Sequence, residues 1–444
     1  MKLYTHPRSL SRSTDYSLRM NGHPVETLFT GVADFAIVAL EASDFPVQIE
    51  VQTRQTPRDL VVRPLALRVK PEFDATKSLI RFTLDCPAAV SIDPGYGLKP
   101  LYLFANEPEK APAPGTPGVI TLPAGQITEN FTLTLDDNQT LYLPGGSVLK
   151  GRVHVRGKRN VRICGHGIID GSFFAPHSPE VPHGLVTLEG CHRARLEEVM
   201  LVRPFTWTVV LVGSEDVSVQ NVRSIGEMVA GDGIDVVGSR RVVIEDCFLH
   251  HNDDCVAVKA LLLNRDKPKE LQLDGRQPVE DVRVERCTLA NWHAGNAMEI
   301  GHELCTDSIR GITFRDIDVL HVHGTGAVFS IHNVDRALVS EVLWEKIRIE
   351  HCYDKLIDFR VTQSRYSTEV GDKAGIRGVV LRDIDWNRTP FNAGYTTSLI
   401  GGRTAAQPVE DVLIERFYVD GQLVRDLDQL EIHTRHCSGL RLLP

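Results

Sequence analysis

Residues 230–259 read AGDGIDVVGSRRVVIEDCFLHHNDDCVAVK. Two acid-bearing turns, Asp232 and Asp253–Asp254, enclose one short strand with apolar residues at alternate positions. That strand is one copy of a unit that recurs along the chain, and a repeat must be sought before any element is assigned. Copies begin at Val161 (VRICGH), Ala194 (ARLEEV), Val217 (VSVQNV), Val242 (VVIEDC) and Val282 (VRVERC). Others begin at Ile312 (ITFRDI), Ile347 (IRIEHC), Val379 (VVLRDI) and Val412 (VLIERF), at spacings of 33, 23, 25, 40, 30, 35, 32 and 33 residues. Each unit has room for two or three strands and cannot bury its apolar face alone, so stacking into a solenoid is the expected solution. Val and Ile dominate with a period of two, and no sustained 3.6-residue stripe intervenes. Leucine-rich and helical solenoids are poor fits; a right-handed parallel β-helix, whose turns can bulge to any length, suits the variable spacing. Cys247, Cys287 and Cys352 end three copies and are expected to stack in the core as small hydrophobes.

Before the repeat, DFAIVALEAS, VQIEVQT, RDLVVRPLALRVKP and SLIRFTLDCP alternate as strands without a repeating unit. They predict an N-terminal antiparallel β-sandwich domain over residues 1–115. EKAPAPGTPG (109–118) is the natural linker, and the β-helix is expected over 116–444. Such a sandwich can bind sugar, join copies into a homo-oligomer, or cover the open end of the solenoid; the last is the default expectation, because exposed solenoid ends need covering. The whole chain, 444 residues at a net charge of −9, lacks the basic balance of a nucleic-acid binder. No apolar run is long enough for a membrane span, and the opening MKLYTHPRSL lacks the apolar stretch of a signal peptide. Nine cysteines without a CxxC pattern are expected to be free thiols. These features together predict a cytoplasmic protein with neither a nucleic-acid nor a membrane partner.

The chemistry is expected where the acids gather. Asp232 and Asp253 are 21 residues apart, about one short coil. Neighbouring coils are separated by about 4.8 Å, so Asp232 should lie beneath the Asp253–Asp254 pair. Carboxylates that close cannot all ionise freely, and a protonated acid beside an ionised base is what glycosidic cleavage needs. Other readings stand beside this one. Asp235, Asp246, Asp316 and Asp383 suit backbone caps in β-helix turns. Clustered carboxylates also bind calcium, as in lyases of this fold, which want a basic residue nearby; Lys259 is the one close in sequence.

Four stretches carry a resemblance to the polygalacturonase family of glycoside hydrolases, and more loosely to the dextranase and isopullulanase family of the same fold. Gly165-His166-Gly167-Ile168-Ile169-Asp170-Gly171 resembles GxGxIDG, and Pro204-Phe205-Thr206-Trp207-Thr208 is similar to a P-x-W-T segment. AGDGID (230–235) resembles NTDGID, and NDDCVAVK (252–259) resembles NxDDCIAIK. The resemblance implies a general acid at Asp253, water held and deprotonated by Asp232 and Asp254, inversion at the anomeric carbon and no cofactor. It also fails at two places. Gly295-Asn296-Ala297 stands where the family has G-H-G, and Ser330-Ile331-His332 where it has R-I-K. Without those cations a galacturonic acid residue is a poor fit, and a neutral sugar is expected.

Candidate substrate contacts are Asn296, Glu299, His302, His332, Lys259, Asp235 and Trp292; Trp207 and Trp344 are expected to pack between coils. Glu299 reads equally well as a sugar ligand or extra acid and as a solvated strand residue. His250 and His251 suit either the cleft or packing, and His321 and His323 suit the surface. The long connections 261–280 and 363–377 are expected to wall the site. The expected function is thus inverting hydrolysis of an oligo- or polysaccharide. Its rivals are a lyase or transglycosidase on the same scaffold, or a carbohydrate-binding protein that has lost catalysis.

Overall fold

The computed structural model describes residues 1–95, 97–178, 181, 183–369, 371–372, 374–388 and 395–444. Its dominant element is one sheet of 30 strands wound into a parallel β-helix with three strands per coil. The repeat sets the register of the first strand in each coil. Val217, Val242, Val282, Ile312, Val342, Val379 and Val412 pair in succession, and the residues after Val161, Ala194 and Val217 extend the same column. One copy was misplaced by the sequence reading. Ile347 pairs with Ile317 and Ile384 in the second-strand column, and Val342 holds the place assigned to it. VLWEKI and IRIEHC both alternate, so pattern alone cannot separate them. Cys247 and Cys287 therefore stack, whereas Cys352 lies five residues out of that column, though it too is buried.

The corner between first and second strands explains the recurrent acids. Asp246, Arg286, Asp316, Lys346, Asp383 and Arg416 stand there with φ between 50° and 57°. Asp and Asn tolerate this left-handed conformation better than most residues. Arg286 pairs with Asp246 at 2.8 Å and Arg416 with Asp383 at 2.6 Å, so charges alternate up the corner. The coil interior is a continuous column of Val, Ile, Leu and Phe with exposures near zero. Each such side chain contributes about 1.5–3 kcal/mol by leaving water. Trp344 lies in this core, stacked between Phe314 and Phe359. All nine cysteines are free thiols.

The N-terminal part forms two sheets, one of six strands and one of five, with a core of its own between them. It is not wholly antiparallel, because Asp34–Ala39 pairs in parallel with Leu101–Asn106. Nor does it cap the solenoid end. Its six-stranded sheet presents Phe35, Ile37, Tyr102 and Phe104 to the side of the helix, against Val148, Met200, Ile225, Phe248 and Leu320 from successive coils. The outward face of the second strands is apolar and needs covering, which accounts for this lateral seat. Strands 119–121 and 140–142 pair as opening coils. No helix among the described residues is long and apolar enough to cross a membrane.

Candidate active site

The acids cluster where the second strand of each coil turns into the third. Ile234, Val256 and Met298 begin third strands that pair in register. Asp232, Asp254 and Asn296 therefore occupy one column two residues earlier, with Gly233 N–H donating to Asp254 O at 2.8 Å and Cys255 N–H to Asn296 O at 2.9 Å. Asp254, rather than the pair, is directly above Asp232; Asp253 precedes it and turns toward the cleft. One oxygen from each of the three lies within 4.8 Å of the others.

Their surroundings differ. Asp254, 4% exposed, accepts from the Asn296 backbone N–H at 2.8 Å and from its Nδ2 at 2.9 Å. Asn296 Oδ1 in turn accepts from Ala327 N–H at 2.8 Å. The Asn296 side chain thus holds Asp254 and also lines the cavity, where it was expected as a substrate contact. Lys259 Nζ lies 2.5 Å from Asp232, 3.3 Å from Asp235 and 3.9 Å from Asp254. Burial, then the Asp232 charge, pushes both Asp235 and Asp254 well above the carboxylate range. Asp235 is fully buried beneath Lys259 and does not reach the cleft, so it is no substrate contact. Asp253 is the one of the three only half-buried; burial and then Asp232 push it up to about 7. Gly295 makes this possible: at φ +63, a Cβ there would stand 2.2 Å from Asp253 Oδ1.

The next coils extend the floor. Glu299 is buried, not solvated, and its Oε1 lies 3.1 Å from His332 Nδ1. Nε2 of His332 lies 3.1 Å from Asp358. Burial alone would raise Glu299, but His332 outweighs it and holds Glu299 at about 2. The same two carboxylates overcome burial to push His332 up to about 10. His302 stacks on His332 at 4.5 Å between ring centroids, and burial takes it down to about 4. Arg360 pairs in register with His332 and grips Asp358 at 2.5 and 2.7 Å. A cation therefore returns one coil beyond the position where sequence comparison had found the family's cations missing, although Asp358 already neutralises it. Asp358 and Arg360 were missed by the sequence reading; their alternation in KLIDFR, one coil after Ser330 and His332, was the available signal. Among the described residues three groups have the donor geometry to hold a cation, two of them here, the three aspartates and Glu299–His302–His332, and the third, His192–Glu215–Asp216, elsewhere on the helix.

A cavity of about 460 Å³ lies over the aspartates, lined also by Lys259, His302, His332 and Trp207. Trp207 was expected to pack between coils. It is half-buried instead, with Lys259 Nζ 4.0 Å from its ring centre. Trp292 was expected at the sugar and is not there. Its ring stacks on His323 and neighbours His250 and His321, in a separate pocket against the N-terminal sheet. The physical reason is the turn between second and third strands, which directs residues before it to the sandwich side and residues after it to the cleft. His250 belongs to that packing as well, its Nδ1 meeting the Tyr102 hydroxyl at 2.5 Å, while His251 is buried between coils with Nε2 2.9 Å from Ser224 Oγ. The later long connection walls the cavity over the aspartates through Arg365 and Tyr366, and the earlier one lines the neighbouring cavity. Residues 261–267 and Arg276 face Arg365, Tyr366, Thr368 and Glu369 across a second cavity of about 500 Å³. Val370 and Lys373 of the later connection lie outside the described residues.

Against this geometry, solved structures give a clear answer about architecture. Dex49A from Penicillium minioluteum superposes over 98% of this chain and 96% of its own, at 14% identity and a TM-score of 0.66. This chain has the polygalacturonase-like fold. A hyperthermoactive exopolygalacturonase from Thermotoga maritima matches 73% of this chain and 84% of its own, at 16% identity and a TM-score of 0.54. The first likeness includes the N-terminal sandwich in its span; the second covers less of the chain. No family model and no curated protein sequence matches. At these identities the polygalacturonase-like likeness is one of fold, shared with glycoside hydrolases.

Proposed function

We propose that the protein is an inverting glycoside hydrolase acting on an oligo- or polysaccharide at a neutral sugar. Asp253 protonates the leaving oxygen, while Asp232, held by Lys259, takes the proton of an attacking water that Asp254 helps to position. One observation carries this reading: Asp253, the least buried of the three aspartates that line the cleft, is pushed up to about 7 by burial and then by Asp232, which suits a general acid at neutral pH. Asp232 and Asp254 are meanwhile fixed by Lys259 and Asn296. The neutral sugar rests on charge. Of the cations lining the cavity, Lys259, His332, Lys355 and Arg360 each already have an acidic partner. Among the described residues that leaves Arg365, at the margin, as the one lining cation without an acidic partner to meet a uronate, beside five lining carboxylates.

A second reading, retention through a glycosyl–aspartate, is favoured by the spacing. Carboxyl groups are about 5–5.5 Å apart in retaining enzymes and about 6.5–9.5 Å in inverting ones, and these oxygens lie within 4.8 Å. Each of these oxygens is one chosen atom of its carboxyl group, and the groups themselves stand farther apart than their nearest oxygens, so the crowding admits retention beside inversion. Product NMR separates the two. Wild type and Asp253→Asn, with chelator present, are incubated with neutral and uronic oligosaccharides, and the first-formed anomer is recorded. An inverted product lost in the variant supports the proposal; a retained anomer replaces it with the second reading; equal activity in both proteins removes Asp253 from the chemistry.

A further inference from the structure

The two cavities meet. Trp207, Glu303, Arg365 and Tyr366 line both, so the space over the aspartates continues into the space between the two long connections. Glu303 stands at this junction, half-buried, at the end of the strand Met298–Leu304. The other carboxylates of the cleft floor each have a counter-charge or a donor: Asp232 has Lys259, Asp254 has Asn296, Glu299 and Asp358 have His332, and the acid Asp253 has the backbone N–H of Asp254. Among the described residues, Glu303 has neither an ion pair nor a hydrogen-bonding side chain, and only its own backbone amide and the distant Lys259 charge favour its ionisation. A carboxylate losing water without a partner is costly, and the two hydroxyls of a vicinal diol would replace that water. Trp207 and Tyr366 supply the apolar walls that a sugar's C–H face packs against.

We infer that Glu303, Trp207 and Tyr366 form a sugar subsite beside the cleavage position, in which the Glu303 carboxylate accepts two adjacent hydroxyls of a neutral residue. This rests on the glycosidase reading. The subsite makes Glu303 a specificity determinant: its charge accepts from hydroxyls and repels a carboxylated sugar placed there. The substrate then spans at least two residues, one over the aspartates and one at the junction.

The test is calorimetric titration of the Asp253→Asn protein, and of the same protein carrying Glu303→Gln, with maltotriose, isomaltotriose, xylotriose, galactotriose and trigalacturonic acid. At least one neutral trisaccharide should bind, at least ten-fold more weakly when Glu303→Gln is present, as loss of a charge-assisted contact requires. Trigalacturonic acid should bind poorly and gain in the double variant. Equal neutral-sugar affinity in both proteins would overturn the subsite, as would tighter binding of the acidic trisaccharide than of every neutral one, or binding of none of the five. Trp207→Phe in the same background should weaken the same neutral sugar and leaves the fold testable independently of Glu303. Hydrolysis is read separately on wild type: a sugar that binds through Glu303 but is never cleaved sinks the glycosidase reading and leaves the subsite standing.

Discussion

Replacing Gly295 with alanine should disable the protein with only modest loss of stability. Gly295 has φ +63, which costs an alanine about 1–2 kcal/mol. Its new Cβ would lie 2.2 Å from Asp253 Oδ1, 2.4 Å from Asp254 N and 2.5 Å from Asp253 C. Ordinary contact needs more than 3 Å, so the Asp253 carboxylate and its backbone must retreat by about 1 Å. Overpacking of this kind costs about 1–3 kcal/mol, giving about 2–5 kcal/mol in all. At about 2.1 cal/mol/K per residue, 444 residues unfold with roughly 0.9 kcal/mol/K, so Tm should drop by about 2–5 °C. Displacing a catalytic acid by 1 Å costs about 100-fold in rate, or about 2.7 kcal/mol. The assay is kcat/KM on the substrate found by the product screen, beside a thermal melt. Gly421→Ala is the control, because Gly421 has φ +73 with no atom within 4 Å of its would-be Cβ. It should carry the backbone strain alone and keep full activity. If Gly295→Ala keeps kcat/KM within about three-fold of wild type, the placement of Asp253 does not govern turnover and the mechanism drawn from it is wrong.

Three other outcomes are expected. Asp253, held near 7 when folded, binds a proton more tightly in the native state, so its ionisation costs stability that builds from about pH 4 and is complete above pH 7. Asp253→Asn should therefore raise Tm at pH 8 and lose that advantage near pH 4, and wild-type kcat/KM should fall as pH rises through 7; a Tm gain independent of pH would refute the shift. His332 has the opposite linkage: with its folded pKa raised to about 10, its stabilisation is whole below about pH 6.5 and is lost as pH climbs to 10. His332→Gln should cost about 3–5 kcal/mol at pH 6 by leaving Glu299 buried without its cation, while Asp358 keeps Arg360, and much less at pH 10, as read from denaturation at both. Phe104, fully buried between Tyr102 and Phe248, joins the sandwich to the helix. Phe104→Ala should cost about 3–5 kcal/mol in denaturant melts, and a loss below about 1 kcal/mol would mean that the two parts barely support each other.

Much of the architecture was legible because a β-helix writes its register into the chain. Val217, Val242 and Val282 recur at variable spacing, and only a scaffold whose turns absorb length can keep them in one column. The failure at Ile347 has the same origin: once first and second strands fuse into Leu338–Ile349, two overlapping apolar alternations compete, and hydrogen bonding to neighbouring coils chooses between them. Asp232, Asp253 and Asp254 were legible through their spacing of one coil. Trp207 and Trp292 were misjudged, and Glu299 was left open between two readings, because alternation tells which face a side chain takes but not what covers that face.

The sequence by itself determined the parallel solenoid, the separate N-terminal strands and the gathering of three aspartates on one face, since all follow from periods and from the distance between coils. Tertiary structure alone decided which groups neutralise which. Lys259 under Asp232, Asn296 on Asp254, His332 between Glu299 and Asp358, and an uncompensated Glu303 at the junction depend on lateral contacts between coils and on two distant connections lining adjoining cavities. Charge interactions fall off with distance and strengthen with burial, and neither quantity is set until the coils have stacked.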